Sequence, residues 1–121
     1  MGARGESVIR YAGHEVQVLF TNRAILNAEQ QLNKGILAVL DEFMRNVGGY
    51  TELVALLRAG MEAARIDARS GGKPISNNDA LEVLDGAGFT AVVGPVMEAL
   101  AAVISYTTEA DGSQGPADPN G

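Results

Sequence analysis

One stretch in the middle of the chain decides its fold: TELVALLRAGMEAARI, residues 51–66. Its larger apolar side chains recur at the spacing of one face of an α-helix. They are Leu53, Leu56, Leu57, Met61 and Ala64. A second face carries only valine and alanine, so polar side chains keep a narrow strip. A helix this apolar must be covered by other elements on more than one side.

The composition limits the classes of function. With 121 residues, 46% of them hydrophobic, the chain is expected to form one domain with a buried core. The net charge is −6 and the nine basic residues are scattered singly, which argues against nucleic-acid binding. The chain has no cysteine, which excludes disulfides and cysteine-ligated zinc. Because no signal peptide and no membrane-spanning run is visible, we expect a cytoplasmic protein with no membrane partner.

The N-terminal part predicts a β-hairpin. Two strand-like runs, 6–11 and 15–20, flank Ala12, Gly13 and His14. Apolar residues alternate with other side chains in the second run, as expected for a half-buried strand. Gly13 can supply the positive φ that a three-residue hairpin loop needs. A lone hairpin is marginally stable in water, so it must dock its apolar face on helices or on another chain.

Caps and helix breakers indicate where the helices lie. Thr21 is the expected N-cap of the first helix, and Gly35 is expected to end it in a left-handed conformation. A break at Gly35 is favoured over a bend. Ser76, followed by an acidic residue at the third helical position, is typical of a capping box. The last helix could begin after Thr90 as its cap, but Pro95 fits best at the first helical position, which would make Gly94 the cap.

These signals together predict a mainly α (α+β) fold. An N-terminal β-hairpin is followed by about five short helices in one small, bundle-like domain over residues 6–106. The predicted helices span 22–33, 36–45, 51–68, 77–85 and 92–106. Residues 1–5 are expected to be a flexible N-terminus. Residues 107–121 hold three acidic residues and no basic one, and they predict a disordered acidic tail.

No group of residues predicts catalysis, a cofactor or a metal site. His14 is the only histidine and lies in the predicted turn, so a serine nucleophile would have no histidine base. Asp79, Glu82 and Asp85 share a helix face without the ligand order of an EF-hand, which is typical of a solvated acidic face. Residues 70–74, SGGKP, lack the spacing of a phosphate loop. We therefore expect a non-enzymatic protein that binds other proteins through apolar helix faces and the hairpin edge.

Several motifs follow one another in a distinctive order. They are VLFT at the end of the hairpin (18–21), NRAILNAEQQL (22–32), LLRAGM (56–61), LEVLD (81–85) and the Ala/Val-rich segment 96–104. Over about residues 7–106 this order resembles the tail assembly chaperone family of long-tailed phages and gene transfer agents. Some members of that family are called tail tube proteins. The resemblance rests on packing and capping motifs, because the family has no catalytic residues to compare.

The resemblance implies a non-enzymatic role in virion morphogenesis. Such chaperones coat the tape measure protein and recruit tail tube proteins in the host cytoplasm, and they are usually absent from the finished particle. In related systems a frameshift yields a longer second form, for which the tail over 107–121 would be a suitable place. A homo-oligomer is compatible with this role. The helix faces that hold Leu53, Leu56, Leu57, Val96 and Leu100 are expected to be mainly core. Where parts of these faces remain exposed, the residues expected to bind partners are Leu53, Leu57, Met61, Val96 and Leu100.

Two other classes of function are compatible with the sequence. The first is a structural tail or connector subunit of the virion, which would carry more β-structure than one hairpin. The second is an unrelated helical adaptor that binds a cellular protein. The position of the gene discriminates between these classes, because a chaperone gene is expected between the genes for the tube and tape measure proteins.

Replacing Leu57 by alanine tests whether the central helix faces the core or a partner. If Leu57 is buried, Leu57→Ala lowers the free energy of unfolding by about 2–5 kcal/mol, because the truncation leaves a cavity. Thermal or urea unfolding of the purified variant measures this loss. A loss well below about 1 kcal/mol, the range of ordinary surface substitutions, would place the side chain on a partner surface instead.

Overall fold

A β-hairpin opens the chain and five helices follow it in the computed structural model, which describes residues 4–114 and the side chains of residues 4–105. The strands are β1 (Arg4–Tyr11) and β2 (His14–Thr21); the helices are α1 (Asn22–Leu32), α2 (Ile36–Met44), α3 (Tyr50–Asp67), α4 (Asn77–Ala87) and α5 (Phe89–Gln114). This order confirms the predicted fold class, a small α+β domain with an N-terminal hairpin.

The hairpin turn is tighter than the sequence predicts. His14 pairs with Tyr11 across the two antiparallel strands, so the loop contains only Ala12 and Gly13. Both residues have positive φ, 49° and 80°, which defines a type I′ turn. The predicted three-residue loop is therefore wrong. A two-residue I′ turn is favoured because its twist matches the twist of the strands that it joins.

The hairpin begins earlier than predicted because a glycine packs against a helix. Arg4 and Gly5 belong to β1, although the sequence predicts flexibility over residues 1–5; residues 1–3 lie outside the described part. An added Cβ on Gly5 would lie 1.8 Å from the carbonyl oxygen of Ala99 in α5. The missing side chain thus allows the backbones of β1 and α5 to approach closely.

Side-chain caps start two helices as predicted. The Thr21 hydroxyl accepts the Ala24 N–H at 3.1 Å and begins α1. Ser76 accepts the N–H of Asp79 at 3.1 Å, and the Asp79 carboxylate accepts the N–H of Ser76 at 2.9 Å, a complete capping box for α4. The break between α1 and α2 is confirmed. The left-handed residue at that break, however, is Asn33 (φ 57°) and not Gly35 (φ −73°).

The last helix is longer than predicted at both ends. It begins at Phe89, where Gly88 accepts the Val92 N–H at 3.1 Å, so Pro95 is the seventh helical residue and not the first. A proline clashes with the Cβ of a preceding helical residue, and Gly94 has none. The helix backbone then continues to Gln114, into the stretch predicted to be disordered; the rest of that tail lies outside the described residues.

The core lies between the hairpin and α3 and α5. The strand β2 packs on α3 and the strand β1 packs on α5, while α1 and α4 cover other sides of α3. The largest fully buried side chains are Phe20, Ile9, Leu53, Leu56, Leu57, Leu100, Val18, Val39, Val92, Val96 and Val103. No polar or charged side chain is buried among the described residues. The expected coverage of the central helix on several sides is therefore confirmed.

The contact between α3 and β2 depends on Gly60. This residue is buried in the middle of α3, where glycine costs about 1 kcal/mol of helix propensity relative to alanine. An added Cβ would lie 2.6 Å from Cγ1 of Val18 and 3.2 Å from the ring of Phe20. The glycine of the LLRAGM motif therefore has a packing reason: it lets α3 lie directly against the inner face of the hairpin.

We expect Gly60→Ala to destabilise the protein despite the gain in helix propensity. The added methyl group overpacks the contact with Val18 and Phe20, which costs about 1–3 kcal/mol. Urea unfolding measures the change. Gly71→Ala is the matched control, because nothing lies within 4 Å of its added Cβ. A Gly60→Ala variant as stable as the Gly71→Ala variant would contradict the proposed close packing.

Candidate functional site: an apolar groove between α2 and α5

Four of the five residues expected to bind a partner lie in the core. Leu53, Leu57, Val96 and Leu100 are fully buried, and Met61 is half-buried against them. A side chain with no exposed surface cannot contact a partner in this fold, so these four positions are corrected from partner surface to core. They are buried because the hairpin covers the faces of α3 and α5 that a free helix would expose.

The exposed apolar surface lies instead between α2 and α5. A groove of about 470 Å³ separates these helices, and we call it the α2–α5 groove. The wall from α5 carries Phe89, Val93, Met97 and Ala101, which recur every fourth residue, and Gly94 beside them. The other wall consists of Leu40, Phe43 and Met44 of α2, with Asn46 and Gly48 of the following loop. Between residues 89 and 105, Glu98 is the only charged residue of α5.

Large apolar side chains continue from the groove onto the surface. Met44 is 81% exposed. Leu37, which lies three residues before Leu40 on α2, is 67% exposed. Val47 and Tyr50 are also more than half exposed. The Tyr50 ring meets the ring of Phe89 edge-on, with 4.9 Å between the ring centroids. Contiguous apolar surface of this kind marks interaction sites on proteins, whereas a single exposed leucine does not.

Polar contacts and a limited apolar face together hold α2 in place. Val39 is the one fully buried residue of α2, and the half-buried Ile36, Leu40 and Phe43 pack against the core beside it. The Lys34 ammonium, just before α2, lies 3.0 Å from the carboxylate of Glu42 and 2.7 Å from that of Glu52 in α3. The hydrogen bond to Glu52 is the main cause of a raised pKa at Lys34 and a lowered pKa at Glu52. Charge pairing therefore sets the spacing of α2 and α3.

A second polar cluster fixes the loop between α3 and α4. The Glu62 carboxylate lies 2.7 Å from the Arg65 guanidinium and accepts the backbone N–H of Ile75 at 2.8 Å. Arg65 also donates to the carbonyl of Ser70 at 3.2 Å. The hydrogen bond from Arg65, followed by that from Ile75, lowers the pKa of Glu62 from its ordinary 4.5 to about 2. This cluster holds the SGGKP segment between α3 and α4.

The hairpin edge is a weaker candidate than the groove. The outward side of the hairpin carries charged pairs, with Arg10 3.0 Å from Glu15 and Arg4 2.7 Å from Glu6. Charged side chains on an edge strand disfavour pairing with a further strand. Exposed apolar surface is therefore concentrated on the α2–α5 side of the molecule rather than on the hairpin.

The polar residues singled out in the sequence do not converge. His14 lies at the start of β2, and its ring contacts Tyr11 with 5.4 Å between the centroids. In the described part of the chain, no group of three or more histidine or acidic side chains is placed to hold a metal ion. Within the same residues, no single helix is both long and apolar enough to cross a membrane. Only α4 and α5 taken together have that length and hydropathy, and the pair is bent by 119°.

Comparison with known proteins adds no family to these observations. No protein-family model matches the chain, and the searches of curated proteins and of solved structures found no match.

Sequence analysis missed the groove because it placed the partner residues on the helices over 51–68 and 92–106 and assigned no role to the apolar side chains of α2. Seven of the nine residues of α2 are apolar, which is more than one buried face can hold, and this excess was the available signal. The α5 wall of the groove was not recognised either, because Val93 and Met97 lie next to the buried residues Val92, Val96 and Leu100 along the helix. Whether such a second apolar face is covered depends on which helices lie next to it. Only the tertiary structure shows this.

The Glu62 cluster predicts a specific loss of stability in acid. Because folding lowers the pKa of Glu62, its stabilising contribution is complete above about pH 4.5 and is lost as the pH falls towards 2. Glu62→Gln keeps an oxygen for the Ile75 N–H but removes the charge, so we expect a shallower fall in the free energy of unfolding over this range. Urea unfolding at several pH values measures it.

Glu82→Gln is the control for this titration. Glu82 is exposed on α4 and has no hydrogen bond or ion pair within the described residues. In the Glu82→Gln variant, the free energy of unfolding should fall with pH between 4.5 and 2 as steeply as in the wild type. Equal slopes for Glu62→Gln and the wild type would contradict the role assigned to Glu62.

Proposed function

We propose that this chain is a non-enzymatic tail assembly chaperone that binds apolar faces of helices in a tape measure protein. The observation that carries the proposal is the α2–α5 groove, an apolar channel with exposed methionine and leucine at its rim. The order of motifs that resembles the tail assembly chaperone family supplies the biological context. Binding of tail tube proteins, action in the host cytoplasm and absence from the finished particle belong to the same proposal.

The chemistry of the groove suits an amphipathic helix. Such a helix lays one apolar stripe into a groove and keeps its polar face in water. The Phe89, Val93, Met97 and Ala101 stripe of α5 runs for about three turns at 1.5 Å per residue, which matches the length of a short helical segment. Small residues in this wall allow close approach, while Met44 and Met97 can adapt to different side chains.

Reversible binding fits the way in which α2 is attached. A chaperone must release its partner when the tube assembles, so its groove should adjust without unfolding the core. The α2 wall has one fully buried residue, Val39, with Ile36, Leu40 and Phe43 half-buried and the Lys34 ion pairs beside them, whereas α3 and α5 place several fully buried side chains in the core. The groove therefore has one adjustable wall and one firm wall. An acidic chain of net charge −6 would also help to keep an apolar complex soluble.

The test is co-expression of this chain with the tape measure protein of the same virion, followed by affinity pull-down and size-exclusion chromatography. We expect co-elution with the wild type and at least a tenfold loss with Met44→Lys, which places a charge at the groove rim. Met44 is 81% exposed and ends α2, where a lysine suits the helix dipole, so the variant should fold.

Leu26→Lys is the matched control for the charge change. Leu26 is an exposed leucine of α1 that does not line the groove, so this variant should retain the tape measure protein. Equal retention by both variants would overturn the groove as the binding site. If the wild-type chain fails to bind the tape measure protein and is found in stoichiometric amounts in mature particles, the structural-subunit alternative replaces the chaperone proposal.

A further inference from the structure

A second cavity lies between α1 and α3, beside the end of the hairpin where β1 begins and β2 ends. It has a volume of about 230 Å³, and we call it the α1–α3 pocket. Its apolar lining consists of Leu19, Ala24, Ala59, Ala63 and Ile66. The polar groups that line it are Arg4, Thr21, Arg23, Asn27, Glu62 and Asp67. The pocket shares no residue with the α2–α5 groove.

The charged residues of this pocket are paired with one exception. Arg4 lies 3.0 Å from Asp67 and 2.7 Å from Glu6, and Glu62 is held by Arg65 and the Ile75 N–H. The Arg23 side chain has no hydrogen bond or ion pair with any of the described residues. Arg23 is therefore the one charged side chain of the pocket lining without a partner, and it lies beside an apolar cavity. An occupant that joins an aliphatic group to one carboxylate would complement both features.

The shape of the pocket favours the end of a chain over its middle. The Arg4–Asp67 ion pair stands between the pocket and a neighbouring depression lined by Gln17 and Ala64, because both ions line the two cavities. A peptide that ran straight through would have to break this pair. A peptide that ends in the pocket can place its last side chain among the alanines and its terminal carboxylate near Arg23.

We propose that the α1–α3 pocket binds the C-terminus of a partner polypeptide that ends in an aliphatic residue, with Arg23 pairing to the terminal carboxylate. The guanidinium fork of arginine suits a carboxylate, which it can bind through two parallel hydrogen bonds. Ala59 and Ala63 leave room for the aliphatic side chain, and Ile66, which is 60% exposed, forms an apolar edge that the ligand would cover. The proposal does not depend on the function proposed for the groove.

The test uses the full chain and the peptide acetyl-Ala-Ala-Ala-Leu, made once with a free carboxylate and once as the C-terminal amide. Titration followed by amide chemical shifts in NMR spectra locates the site and measures both affinities. We expect saturable shifts at Ala24, Ala59 and Ala63, and at least tenfold tighter binding of the acid than of the amide. Arg23→Gln should reduce the affinity for the acid to that for the amide.

Arg69→Gln is the matched control, because Arg69 is exposed, lies outside the pocket and has a side chain without a partner among the described residues. It should bind the acid as the wild type does. Three results would overturn the proposal: no saturable shift, equal affinity for acid and amide, or undiminished binding of the acid by Arg23→Gln. Because Arg23 is exposed on the first turn of α1, its variant should fold, and the shifts of residues outside the pocket verify this.

Discussion

The contact between α3 and the inner face of the hairpin is the constraint on which the other packing depends. Gly60 brings the α3 backbone against Val18 and Phe20, and Gly5 does the same for β1 against α5. These close approaches on the two strands place α3 and α5 against one small sheet and leave α1 and α4 to cover the remaining faces of α3. A hairpin that is unstable alone thus becomes the surface on which two apolar helices meet.

The same arrangement explains why α2 is exposed. Once the hairpin, α1 and α4 have covered α3, little core surface remains for α2, which has one fully buried residue, Val39, and three half-buried ones, Ile36, Leu40 and Phe43, that pack against the core. Leu40 and Phe43 also line the α2–α5 groove together with Met44, and Leu37 faces the solvent. The apolar surface that supports a binding role is therefore a consequence of the core packing. The hairpin, α1 and α4 cover α3, and they leave the apolar helix α2 only partly covered.

Local signals in the sequence predicted more of the fold than of the candidate site. Thr21 and Ser76 could be identified as caps because a side chain and a backbone amide three residues later satisfy each other within one turn. Pro95 was misplaced because a proline inside a helix is tolerated only when its neighbours allow it, here Gly94. The partner residues were misplaced for a different reason: periodicity identifies an apolar face, but only the tertiary structure tells whether that face is covered, as for Leu57, or open, as for Met44.

The attachment of α2 through Lys34 has a consequence for local unfolding. With one fully buried residue, three half-buried ones and an ion pair, α2 has a lower free energy of opening than α3, which opens only with the core. Its amide hydrogens should thus exchange with solvent water through a partial opening that leaves the hairpin and α3 intact. Because these ion pairs are partly buried, salt screens them much less than pairs at the surface, so this opening should depend only weakly on ionic strength.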